Sequence, residues 1–396
     1  MAVMDTAGTA PEKGSFIYNP KVRSIAAQVA LIALLIFVVY SAVDNTAQNL
    51  QRQNIASGFG FLDNSAGFGV NQALVEYAET SSYGRVFIVG LLNTLLVSVV
   101  GIFFATIIGF IVGVARLSRN WVARQMSTVY VEVLRNTPLL LQILFWYGAV
   151  LASLPSPRTS EPFLGGFVLN NRGLFIPKPI WGEGATLIAL AFLLGIVATI
   201  GISIWSRRRQ MATGQTFPVF QTALGLIFGL PLLAFVVTGF PLTFEYPELQ
   251  GFNYRGGVSV IPEFVALLVA LALYTAAFIA EIVRAGILAV SHGQTEAASA
   301  LGLRPSPTLR LVIIPQAMRV IIPPLTSQYL NLTKNSSLAV AIAYPDLVSV
   351  FAGTSLNQTG QAIEILAMTL AVYLTISLVT SLFMNWYNQR MALVER

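Results

Sequence analysis

Residues Ser291–Ala317 read SHGQTEAASALGLRPSPTLRLVIIPQA and lie between two long apolar runs. Ser291 and Gln294 fit an S-x-x-Q capping box, in which a hydroxyl and an amide satisfy the first orphan backbone donors, so a helix should begin there. Residues 294–301 are helix formers, with a small-residue face at Ala297, Ala298 and Ala300. Gly302 is placed to end that helix in the left-handed conformation. Ser306-Pro307 reads as the cap and first residue of a second short helix. The expected product is a helix–glycine turn–helix elbow projecting from the apolar body. The pattern alone leaves open whether it is a connecting loop with two interfacial helices or a handle for another subunit.

Outward from the elbow, the chain is dominated by apolar runs. A bilayer core needs about 20 consecutive apolar residues per helix, and eight stretches qualify: 24–43, 86–114, 128–152, 186–206, 218–240, 259–287, 321–345 and 362–385. They are continuously apolar rather than alternating, which excludes a membrane β-barrel. Only 10% of the 396 residues are charged, against roughly 25% in soluble domains. The expected fold is therefore all-α, a polytopic transmembrane bundle of eight spans. With no Cys and one His, His292, the chain can form no disulfide, thiolate metal site or multi-histidine site, and no cofactor is expected. It also has no G-x-x-x-x-G-K-[ST] phosphate-binding loop.

The net charge of +6 is an orientation signal rather than a nucleic-acid footprint. Lys13, Lys21, Arg23, Arg116, Arg119, Arg124, Arg207, Arg208, Arg209, Arg304, Arg310, Arg319, Arg390 and Arg396 fall on one side of an eight-span topology. That side should be cytoplasmic, with both termini there. The opposite side holds fewer basic residues, alongside Asp44, Glu76, Glu79, Glu183, Glu245 and Glu248. The first apolar stretch exceeds a signal-peptide core and lacks a good cleavage site, so it reads as an uncleaved signal anchor.

These readings divide the chain into a cytoplasmic tail (1–23), a signal-anchor span with external loop (24–83), a transmembrane domain (84–385) and a second tail (386–396). The first tail reads as disordered to about Lys21. The amphipathic stretch Val70–Tyr77 suggests a short interfacial helix. Prolines 155, 157, 162, 177 and 179 favour extended chain with turns over a packed subdomain in 153–185, and 241–258 is similar in character.

Two E-x-x-R pairs, Glu132/Arg135 and Glu281/Arg284, each place both charges on one helix face. They read as ion pairs at a helix end or contact, or as gating elements. Asn136-Thr137-Pro138 should end an interfacial helix near 135 and start a fresh span at Pro138. Thr326, Ser327, Gln328, Asn331, Thr333, Lys334, Asn335, Ser336 and Ser337 make an unusually polar segment on an apolar span. Such groups bond between helices or line a wet path; for a path, Asn331, Lys334, Asn335 and Ser336 are the candidates. The acids cluster at span ends, with no deep Asp or Glu, and Glu364 is expected at the interface.

Glu296-Ala297-Ala298, then Gly302, then Ile314-Pro315 resembles the E-A-A-x-x-x-G…I-x-L-P signature of bacterial ABC-importer permeases, departing at Val312 and Ile314. Ala280–Gln294, Arg135–Gly148 and Ile321–Ile342 are similar to the polar-amino-acid branch, and together the likeness covers roughly 84–150 and 259–385. The extra first span and a two-span insertion at 153–258 are similar to the long permease subunit of general L-amino-acid importers. The resemblance implies a type I ABC importer permease core in a bacterial inner membrane. It implies that Glu296, Ala297, Ala298, Gly302 and Pro315 couple to a cytoplasmic ATP-binding subunit that supplies all ATP hydrolysis. It also implies a second permease subunit, a periplasmic amino-acid-binding protein and lipid as partners. The asymmetric insertion favours a heterodimer with a shorter second permease. The alternative is a secondary amino-acid transporter, which would show repeated halves and buried coupling acids.

Overall fold

The computed structural model describes residues 20–52 and 57–391. The tail before residue 20, including Lys13, and Arg396 lie outside the described residues. Among the described residues, seven helices are long and apolar enough to cross a bilayer. Residues 128–152 supply the eighth expected stretch in a divided form. An amphipathic helix α3 (Trp121–Asn136) stops at extended Thr137, and a shorter apolar helix α4 (Leu139–Ser153) follows Pro138. Asn120 caps α3, its Oδ1 accepting the Val122 and Ala123 N–H groups at 2.9 and 3.2 Å. Helix α1 (Pro20–Arg52) runs past the expected boundary at residue 43. Beyond it, Gln48 Nε2 donates to Asp44 Oδ2 at 3.0 Å, linking successive turns.

The bundle is built on α2 (Tyr83–Ala115) and α7 (Pro262–Leu288), which run parallel. Val97, Gly101, Ala105, Gly109 and Gly113 recur every fourth residue on the buried face of α2. A methyl group added at Gly109 would meet Ile279 Cβ at 2.6 Å, and one at Gly113 the Ala280 carbonyl at 2.7 Å. In hydrocarbon, where there is no water to expel, such small residues let backbones approach and dispersion hold the pair. Helix α9 (Pro305–Ile342) runs antiparallel across them, setting Ile321, Ile322, Leu325 and Leu332 into a common core with Ile143, Leu267, Leu271 and Ile279. The last long helix, α11 (Ala362–Met391), packs along α9, with Met384 in the same core.

Before α11 the chain turns at Ala343 and winds through a π-helical stretch, α10 (Val348–Ser355). Phe61, Tyr83, Val86, Leu347, Phe351 and Ile365 form a second core there. The interfacial helix expected over Val70–Tyr77 does not form. These residues dock irregularly: Tyr77 donates its hydroxyl to the Phe68 carbonyl at 2.6 Å, and Val70 and Tyr77 pack on the second core.

Residues 153–258 hold helices α5 (Ala185–Thr213) and α6 (Val219–Val237), which pack on each other. Their flanking segments are a correction to the expected extended chain. Strands β1 (Val168–Asn170), β2 (Gly173–Ile176), β3 (Lys178–Trp181), β4 (Leu242–Glu245), β5 (Glu248–Gln250), β6 (Asn253–Arg255) and β7 (Val258–Val260) form three small antiparallel sheets. Their orders are β1-β2-β7, β3-β4 and β5-β6. The registers Phe175↔Ser259 and Ile180↔Thr243 join the segments on either side of α5 and α6. Val168, Phe175 and Tyr254 form a small core, and the Tyr254 hydroxyl donates to the Ser160 carbonyl at 3.0 Å. The prolines do not prevent this, because an edge strand tolerates a residue without a backbone donor.

Candidate functional site

Helix α8 (His292–Ala300) and the first turns of α9 make the elbow. Ser291 occupies the cap position, but its hydroxyl caps nothing. The Gln294 side chain accepts from Gln316 Nε2 at 3.2 Å, so the expected capping box is replaced by a tie to α9. The glycine stop forms as read. Gly302 has φ +75°, Leu303 N–H bonds the Ala298 carbonyl at 3.0 Å, and Gly302 N–H bonds that of Ser299 at 2.9 Å. These are the paired bonds of a Schellman turn. The second helix starts one residue before Ser306, with Arg304 at the cap and Pro305 first. Pro305 already has the φ that a first helical residue needs. Pro315 follows a π turn at Leu309–Ile313, the kind of local widening that accommodates a residue with no N–H.

The elbow's faces differ. Ala298 is buried against the following helix, whereas Glu296, Ala297 and Ala300 are exposed. Glu296 Oε1 lies 3.0 Å from His292 Nδ1, one turn back on that exposed face.

Of the two E-x-x-R pairs, only one forms. Arg284 Nη2 lies 2.5 Å from Glu281 Oε1, and Arg116 at the end of α2 pairs with the other oxygen. One carboxylate thus clamps α2 to α7. The expected Glu132–Arg135 pair is absent. Arg135 lies over the Phe278 ring at 5.1 Å, and Glu132 Oε2 instead takes Asn136 Nδ2 at 3.4 Å.

On α9 the polar residues sort by face. Ser327, Asn331 and Lys334 are exposed together with Pro323 and Pro324, Asn335 is half-buried, and Ser336 is buried. Several hydroxyls return to their own helix: Thr326 to the Ile322 carbonyl at 3.3 Å, Thr333 to Tyr329 at 3.1 Å and Ser336 to Thr333 at 2.8 Å. After Asn335 the helix tightens to 3-10 geometry over Ser336–Ile342 and ends at Ala343, φ +56°.

An acid directly after the expected 321–345 span is buried within the protein. Asp346 is fully buried, with Oδ1 accepting the Ser349 N–H at 2.8 Å and Oδ2 without a partner. The D-x-x-S spacing of a helix cap was the available sequence signal. Glu364, expected at the interface, is also buried and accepts the Gly58 N–H at 2.5 Å. Asn93 is a further fully buried polar residue that sequence reasoning passed over. Its Nδ2 donates to the carbonyls of Gln72 at 2.9 Å and Pro345 at 2.8 Å.

Residues 207–393 match the family described as "Binding-protein-dependent transport system inner membrane component". The general L-amino acid transport system permease protein AapQ of Rhizobium johnstonii is 57% identical over 98% of this chain and 97% of its own length. The putative amino-acid ABC transporter permease protein YhdX of Escherichia coli is 55% identical over 97% and 98%. The glutamate/glutamine/aspartate/asparagine transport system permease protein BztB of Rhodobacter capsulatus is 42% identical over 98% and 99%. With identity of this extent running across both the elbow and the two-span insertion, the chain belongs to the binding-protein-dependent inner-membrane permeases of amino-acid ABC importers.

Proposed function

We propose that amino acids cross along the α9 face bearing Ser327, Asn331 and Lys334, with Asn335 and Ser336 shaping its outer end. The observation that carries this reading is exposure: Asn331 and Lys334 face outward from a membrane-spanning helix of the isolated chain. Leaving a Lys on a span in contact with lipid costs up to about 2.5–3.5 kcal/mol, the value at a helix centre. A second permease subunit covering a wet path removes that cost. The insertion in this chain favours a shorter, different subunit as that partner, and hence a heterodimer. The breadth named for the relatives supports general L-amino acids as substrates.

In this reading the elbow seats on a cytoplasmic ATP-binding subunit, which performs all the hydrolysis. Glu296 and Ala297 meet the partner, while Ala298, Gly302 and Pro315 hold the elbow's shape. The Arg116–Glu281–Arg284 clamp keeps α2 and α7 moving as one body. A periplasmic amino-acid-binding protein delivers substrate at the opposite side. Both termini are cytoplasmic, as the basic loops indicate: reporter fusions after Arg209 are expected inside and fusions near Pro157 outside. Uptake should stop when ATP is depleted while the proton gradient is held intact. Uptake that follows the gradient instead would overturn ATP-driven import in favour of secondary transport.

A further inference from the structure

The segment 57–82 has little regular structure beyond a 3-10 turn at Phe59–Asp63, yet it is firmly tied down. Ala66 N–H bonds the Ser81 carbonyl at 2.8 Å and Gly67 N–H that of Glu79 at 2.9 Å. Phe61 and Ala66 are buried with Leu347, Phe351 and Ile365, and the Tyr83 hydroxyl donates to Gln358 Oε1 at 2.8 Å. The segment therefore bridges the ends of α2, α10 and α11.

Its tip reaches further in. Asn71, Ala73 and Leu74 are exposed, while Gln72 is turned inward. The Gln72 carbonyl accepts from Asn93 Nδ2 at 2.9 Å, and Gln72 Nε2 donates to the Tyr344 hydroxyl at 3.4 Å. Asn93 lies ten residues into α2, about 15 Å along its axis. Below Gln72 the contacts are fully buried. Asn93 Nδ2 holds the Pro345 carbonyl at 2.8 Å, the Tyr344 hydroxyl donates to the Asn93 carbonyl at 3.1 Å, and Leu347 N–H bonds Thr94 Oγ1 at 3.0 Å. Backbone approach locks this layer, since a methyl at Gly90 would meet Leu347 Cα at 2.9 Å. The 3-10 stretch Ser336–Ile342, the last turns of α9, separates the layer from the polar face of that helix.

We propose that Gln72 is the bolt of an external seal. Residues 57–82 close the outer mouth of the path by joining Asn93 and Tyr344. Opening breaks the Gln72 contacts, while the Asn93–Pro345 and Thr94–Leu347 bonds stay as a fixed pivot for α9. The tip is suited to release because its side-chain bond is long and its neighbours are solvated. Asn93 Oδ1, buried without a partner, offers the Gln72 amide a second setting. The exposed Phe59 and Leu74 give an arriving binding protein a hold on the segment.

This inference rests on the path reading above, and one experiment separates the two. The chain has no Cys, so Asn331→Cys is the single thiol of this subunit, read on its own gel band after the complete transporter is challenged from outside with a membrane-impermeant maleimide. Without binding protein or ATP, Gln72→Ala should speed labelling about fivefold, the effect of losing one ordinary hydrogen bond, that to Tyr344, while the backbone carbonyl bond to Asn93 remains. Gln72→Glu, which keeps the side chain's length and loses the same amide donor, should give a similar rise. Asn71→Ala at the exposed neighbour should give none. Unchanged labelling in both Gln72 variants, or an equal rise with Asn71→Ala, overturns the seal while leaving the path intact. A reporter that stays unreactive even during turnover with loaded binding protein overturns the path, and the seal with it.

Discussion

Glu281 carries two guanidinium groups on one carboxylate, with side-chain exposures of 10% for Arg116, 27% for Glu281 and 32% for Arg284. This lies between a surface pair, worth about 0–1 kcal/mol, and a buried one, whose breakage costs about 3–5 kcal/mol. Glu281→Gln should therefore destabilise the protein by about 1–3 kcal/mol, because Arg116 loses its carboxylate in a mostly buried place. Adding Arg116→Gln should recover part of the loss, and thermal unfolding of the two variants in detergent checks the sign. The E-x-x-R spacing made Glu281 and Arg284 legible, but it could not announce Arg116, which is 165 positions away. The same spacing misled at Glu132. Spacing places two charges on a face, but it does not reveal that Phe278, on another helix, will draw the guanidinium by a cation–π contact. Asp346 escaped for a related reason. Its burial comes from α2 and α11 closing over a turn, which no local pattern records.

At the scale of the element, the elbow was legible in outline because its determinants are local: a helix-forming run, a glycine stop and prolines. Its fine points depended on tertiary contacts. Gln294 reaches Gln316 rather than closing a capping box, and Ala298 turns inward. Bulk at the two adjacent alanines should therefore act differently. Ala298→Trp overfills the elbow's own packing, at about 1–3 kcal/mol, and should lose both elbow order and uptake. Ala297→Trp leaves that packing intact and should keep membrane abundance while losing ATPase co-purification and uptake. Gly302→Val opposes the left-handed turn by about 1–2 kcal/mol, whereas Gly302→Asn should be milder because Asn tolerates that conformation. Uptake and ATPase co-purification measured on the four variants check this order. Normal coupling in Ala297→Trp would mean that the exposed face is only a connector.

Across the whole molecule, the insertion is the part the sequence described least well. Its spans were readable from hydropathy, but the sheets were not, because β2 pairs with β7 and β3 with β4 across the two intervening helices. Long-range pairing of three- and four-residue strands leaves no alternation long enough to detect. The sheets nevertheless explain how two extra helices can be accommodated. They tie both ends of the inserted hairpin beside the start of α7, while α5 and α6 pack chiefly on each other, as where Gly195 meets the Leu226 carbonyl. No residue of α6 is buried, whereas Leu267, Leu271, Ile279 and Val283 of α7 are. A helix pair so placed should shape the outer surface and stay out of the path. Single cysteines at Leu190, Leu194 and Phe228, exposed on these helices, should label at rates that substrate and loaded binding protein do not change. Cysteines at Ser327 and Asn331 on α9 should be protected by substrate in the same preparation. Protection at Leu194 or Phe228 matching that at Asn331 would move the path into the insertion and overturn the peripheral placement.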